Sequence, residues 1–226
     1  MSLKGHHTDW YRGSFNADLE YLLKVAENNL LRLNPTDPSY LDIYTDPRPV
    51  IGYGYDLEAN KEHSVADLTD VGVTLSNAQK VALESITATS GIPLELQGLA
   101  LPSELAATDL LWKAINDSPD GVTASRMTSF SNFLSNNNIE LPDSRERAVL
   151  FSMWYQKPGK AGDGGYFIKK SGEITNMTKA LIDCNRAEVW YEIRYGSAKV
   201  KLNSNNVLEA LDGHGGIIGD RPLLIN

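Results

Sequence analysis

The chain has 226 residues, 42% hydrophobic and 22% charged, a balance that excludes intrinsic disorder and an extended coiled coil. No apolar run is long enough to span a bilayer. The 21 Lys and Arg against 29 Asp and Glu leave a net charge of -8, which argues against sequence-independent binding to nucleic acid or to an acidic membrane as the main task. Residues 1 to 113 carry 8 basic and 16 acidic groups, whereas residues 114 to 226 carry 13 of each. The length suits one two-lobed domain or two small ones. With Cys184 as the only cysteine, an intrachain disulfide is impossible and a core thiol is the default reading. The opening residues lack the apolar stretch of a secretory signal peptide, so export is expected to use another route.

In chain order, Asn16 is expected to cap a helix running to about Leu33, because Leu19, Leu22, Leu23, Ala26, Leu30 and Leu33 fall on one stripe with Glu27 at its edge. Prolines at 35 and 38 stop it, and Tyr40–Tyr44 with Val50–Tyr55 read as a hairpin around Asp46-Pro47-Arg48-Pro49. Gly52 and Gly54 weaken the second strand and suggest a bulge or a close ligand approach. Ser76 and Gln79 form a capping box for a helix ending near Gly91. Further helices are expected at about Ser103–Asn116, Ala124–Ser135 and Asp143–Gln156, the last opened by an Asp143/Glu146 box. A glycine-rich loop from Pro158 to Gly165 follows, then helical stretches at about Ile174–Tyr195, broken near Asp183, and Ser204–Leu211. The sum is an α+β fold, mainly helical, with a small antiparallel hairpin beside the first helix.

A carboxylate on a helix edge followed by a hairpin rich in Asp, Tyr and Gly is a place where paired carboxyl groups could act as acid and base. Glu27, Asp46 and Asp56 are the candidates, and solvated surface acids are the competing reading. Tyr53, Tyr55 and Tyr155 suit either the core or a sugar-stacking cleft, while Trp112, Trp154 and Trp190 read as core. The four histidines show no His-x-x-x-His or Cys-x-x-Cys spacing, so neither a metal nor any other cofactor is expected. A Gly-x-Ser-x-Gly elbow and a Walker motif are both absent.

Glu27, Tyr44-Thr45-Asp46 and Val50-Ile-Gly-Tyr-Gly-Tyr-Asp56-Leu57 resemble, in order and in glycine placement, the active-site region of lysozymes of tailed phages and of the bacteriocin pesticin. Arg145–Gln156 looks like the helix behind the cleft of that family, and Arg186–Tyr195 is similar to a late segment in lysozyme-like domains of type VI secretion effectors. His7-Thr-Asp-Trp-Tyr11 resembles sequence that precedes such domains. The resemblance covers about residues 16 to 196. It implies an N-terminal extension over 1–15 and one lysozyme-like domain over 16–226, with a small β-containing lobe at about 34–75 and a helical lobe at about 76–226.

The resemblance further implies a monomeric muramidase that cleaves the peptidoglycan glycan backbone, with Glu27 as acid. Its partner is Asp56 by the pesticin branch or Asp46 by the phage branch, and the local match favours Asp56. An antibacterial toxin of this kind would be secreted or delivered to the periplasm of a target bacterium and matched by a cognate immunity protein. Two features depart from the family: Val50 stands where a threonine helps to hold the attacking water, and the acidic first half would repel an anionic wall polymer. A non-catalytic wall-binding or structural module of the same fold is therefore the alternative.

Overall fold

The structure, a computed structural model, describes residues 15–27, 41–45, 48–87, 91–117, 124–193, 200–202 and 208–210. The fold is α+β, with eight α-helices and a small three-stranded antiparallel sheet among the described residues. The chain divides into two compact units, Met1–Leu22 with Phe130–Asn226 and Leu23–Ser129.

Helix α1 spans Phe15–Glu27 and buries Leu19, Leu22 and Leu23, the stripe expected for it. Asn16 lies inside this helix and is not its cap. Residues 28–33 of the expected helix, and residues 1–14 of the expected extension, lie outside the described residues.

In the Leu23–Ser129 unit, β1 (Tyr44–Thr45), β2 (Pro49–Ile51) and β3 (Tyr55–Asp56) form the sheet in the order β1-β2-β3. The run expected as one strand is therefore two strands. Gly52 (φ +66°) and Gly54 (φ +77°) adopt left-handed backbone and turn the chain between them. A Cβ on Gly52 would lie 3.0 Å from Leu101 Cδ1, so the turn is also closely packed. Leu41 and Ile43, expected within the hairpin, pair instead with 99–101: Leu101 N donates to Leu41 O and Ile43 N to Leu99 O.

Helix α2 (Lys61–Asp70), which the sequence pattern does not announce, packs on α3 (Asn77–Glu84) and on α4 (Glu104–Asn116), which also packs on β3. The Ser76/Gln79 capping box forms as expected, and Ser103 caps α4 by accepting from Ala106 N. A short 3-10 turn, Leu94–Leu96, lies against α3.

Helix α5 (Arg126–Asn136) crosses the boundary between the units at Ser129/Phe130. In the other unit, α6 (Arg145–Gln156) buries every residue from Ala148 to Met153, as befits a helix at the centre of a core. Its cap is Ser144, whose hydroxyl accepts from Arg147 N, while the expected cap Asp143 pairs with the Arg147 side chain. Phe130, Phe133, Trp154 and Phe167 interlock at centroid distances of 4.8–6.2 Å. Trp112, Trp154 and Trp190, expected in the core, are each half-buried.

The glycine-rich loop folds on itself: Gly165 N donates to Ile168 O and Gly162 N to Lys170 O. A Cβ on Gly159 would lie 2.3 Å from Ile168 O, which makes glycine obligatory there. Helices α7 (Asn176–Ile182) and α8 (Arg186–Tyr191) are separated at 183–185, where the break near Asp183 is expected, and a Glu146–Arg186 ion pair ties α8 to α6. Cys184 is half-exposed in the turn between α7 and α8 at φ +54°, so it is not a core thiol. Of the stretch Ser204–Leu211 expected as a helix, only residues 208–210 are described, and they form a strand. Val200–Leu202 (β4) and Leu208–Ala210 (β5) form an antiparallel pair, in keeping with the apolar/charged alternation of Val-Lys-Leu and Leu-Glu-Ala.

Candidate active site

Strands of two or three residues cannot fix their own geometry, so the sheet is best read through its register. Tyr44 faces Val50 and Val50 faces Asp56. Directly opposed residues on antiparallel strands share a face of the sheet, with Cβ atoms about 5 Å apart. Asp56 therefore lies beside Val50, which offers no hydroxyl.

The Asp56 carboxylate is held at both oxygens. Its Oδ1 accepts from Glu58 N at 3.0 Å and Ala59 N at 2.9 Å, closing a turn in the manner common for aspartate. Its Oδ2 lies 3.3 Å from Arg48 Nη1, which lies equally close to Glu58 Oε2. Asn60 completes the turn by donating from Nδ2 to Asp56 O at 2.7 Å. The Asp56 side chain is 21% exposed.

Glu27 is the last residue of α1 and belongs to the same unit as the sheet, though its side chain lies outside what is described. Asp46 also lies outside the described residues. One turn before Glu27, Lys24 Nζ stands 3.5 Å from Glu104 Oε1 and 5.2 Å from the centre of the Tyr53 ring. Tyr53 donates from its hydroxyl to the same Glu104 oxygen at 3.4 Å. The last turn of α1, the Gly52–Gly54 turn and the start of α4 are thus joined at one carboxylate.

Of the two places that the sequence leaves open for Tyr53 and Tyr55, the structure gives the core: each is 1% exposed. Buried rings cannot stack on a sugar. Val50 is also buried, on the central strand with a partner strand on each side. Tyr155 lies on α6 in the other unit, half-buried, its ring centroid 6.3 Å from that of Phe151.

Sequence reasoning missed Arg48, Asp67 and Lys113. The Tyr55 hydroxyl donates to Asp67 Oδ2 at 2.6 Å, and Lys113 Nζ lies 3.3 Å from Asp67 Oδ1 and 2.9 Å from Asp70 Oδ2. The hydrogen bond to Asp70, then the contact with Asp67, hold the Lys113 pKa above its ordinary 10.5, outweighing partial burial, which acts the other way. Arg48, flanked by two prolines, carried a signal as the one cation of the expected hairpin. Asp67 carried none.

Among the described residues, no group of three or more His, Cys, Asp or Glu side chains is arranged to hold a metal ion. No helix among them is long and apolar enough to cross a membrane. No family model, no curated protein and no solved structure matches this chain.

Proposed function

We propose that the chain is a muramidase of lysozyme-like fold that hydrolyses the peptidoglycan glycan backbone, with Glu27 as general acid and Asp56 as the second carboxylate. The observation that carries this reading is the Asp56 carboxylate itself, partly exposed and facing Arg48 across 3.3 Å. Asp56 has one oxygen fixed by two backbone N–H donors and the other directed at Arg48, a held and partly exposed carboxylate of the kind that can activate water or steady developing positive charge. Glu27, at the end of an apolar helical stripe and in the same unit, supplies the acid. Delivery to the periplasm of a target bacterium as an antibacterial toxin, with a cognate immunity protein, belongs to the same proposal and rests on the sequence resemblance.

The second reading, a non-catalytic wall-binding or structural module, is favoured by Val50, which offers no hydroxyl, and by the use of Asp56 Oδ1 in the turn. Lysis of purified walls separates the two. Glu27→Gln is expected to lower the rate of turbidity loss by about 10²-fold or more. Asp56→Asn is expected to be far more damaging than Asp46→Asn. Equal, mild losses in the two aspartate variants would mean that neither is the catalytic base, and no lysis by the wild-type chain would point to the second reading.

A further inference from the structure

Asp56 can work only if β3 is held in one place, and the ladder to β2 is too short to do this. It consists of Val50↔Asp56 and Ile51↔Tyr55. Successive side chains on a strand point to opposite faces, so Tyr55 turns inward where Asp56 does not. The hydroxyl of Tyr55 ends on Asp67 of α2, a carboxylate 5% exposed, whose other oxygen meets Lys113 of α4. One buried carboxylate thus joins β3, α2 and α4.

A phenylalanine at 55 and a leucine at 67 would fill the same space without burying a charge, and such replacements are often neutral for stability. What they could not supply is direction. Apolar contact tolerates sliding and rolling, whereas a hydrogen bond weakens steeply as its angle opens. The buried pair is also strongly specified, since each partner is costly to leave unsatisfied.

We propose that Tyr55, Asp67 and Lys113 form a positioning network that fixes the register and roll of β3 from behind, and thereby the place of the Asp56 carboxylate. The catalytic consequence rests on the muramidase reading, but the structural one does not. None of the three touches substrate. All act through the strand.

The amides of Glu58 and Ala59 report directly on Asp56, because its Oδ1 accepts from both. Their hydrogen exchange is to be measured by NMR in the full chain, with core amides such as Leu110 tracking global unfolding. Tyr55→Phe is expected to speed exchange at Glu58 and Ala59 by about tenfold beyond any change at Leu110, the worth of one well-placed hydrogen bond. The same variant is expected to lower kcat for release of reducing ends by a similar factor with KM unchanged. Wild-type exchange at the two amides would overturn the network. Faster exchange with unchanged kcat would uphold it and instead remove Asp56 from the chemistry. Should Tyr55→Phe not fold, Asp67→Asn carries the same test, since it keeps an acceptor for the tyrosine but loses the charge that faces Lys113. Exchange about threefold faster than wild type is expected for it, and no change would overturn the proposal.

Discussion

In the unit formed by Met1–Leu22 and Phe130–Asn226, Phe130, Phe133, Trp154 and Phe167 pack ring against ring around a helix buried on every side. In the Leu23–Ser129 unit the corresponding work around the sheet falls to Tyr55–Asp67–Lys113, Lys24–Glu104–Tyr53 and Arg48–Asp56–Glu58. That unit holds 7 basic and 15 acidic residues, which accounts for the whole net charge of -8, and the other unit is balanced. The difference teaches how each will fail. Apolar packing degrades in proportion to lost volume, whereas directional polar ties set where a strand lies and can be cut one at a time.

The largest expected effect lies on the aromatic side. Phe130 is fully buried among three other rings, so Phe130→Ala should cost about 3 to 5 kcal/mol and lower the melting temperature by about 10 °C. Calorimetry checks it. A loss under about 1 kcal/mol would mean that the rings are less interlocked than their distances imply.

The second effect lies on the polar side and depends on pH. Because the Lys113 pKa is raised in the folded chain, its contribution to stability is fully present below the ordinary 10.5 and is lost as pH rises through the higher folded value. Denaturant titrations should therefore show an alkaline loss of stability above about pH 10.5 that shrinks in Lys113→Met. An identical alkaline slope in that variant would remove Lys113 from the network.

The smallest effect on stability is expected at Val50→Thr, which keeps the shape and puts a hydroxyl beside Asp56. With that carboxylate as acceptor the cost should stay below about 1 kcal/mol, whereas an unsatisfied hydroxyl would cost about 1 to 3. If position 50 can orient water, the rate of wall cleavage should rise about tenfold. Lower stability with unchanged activity would mark position 50 as packing alone.

Where local chemistry decides an element, the sequence was readable. Ser76 with Gln79 and Ser103 announce α3 and α4, and the leucine stripe announces α1. Helix α2 was not readable, because the residues that it buries are Ser64, Asp67 and Leu68, which make no apolar stripe. Asn60 stands at its N-cap but makes no side-chain cap, since its side chain is turned to Asp56 O. The cross-strand neighbour of Asp56 was equally hidden, as strands this short carry no pattern that fixes register. Asp56 could thus be chosen as a candidate second carboxylate from its surroundings in sequence, while the duties of its two oxygens and the network behind it required the fold.

The most direct test of the account is chemical. Purified peptidoglycan incubated with the wild-type chain should gain new reducing sugar termini, with no new amino termini from the peptide stems, and the yield should fall by about 10²-fold or more with Asp56→Asn. No new reducing termini, or the same yield from Asp56→Asn as from wild type, would contradict a glycosidase built on this sheet.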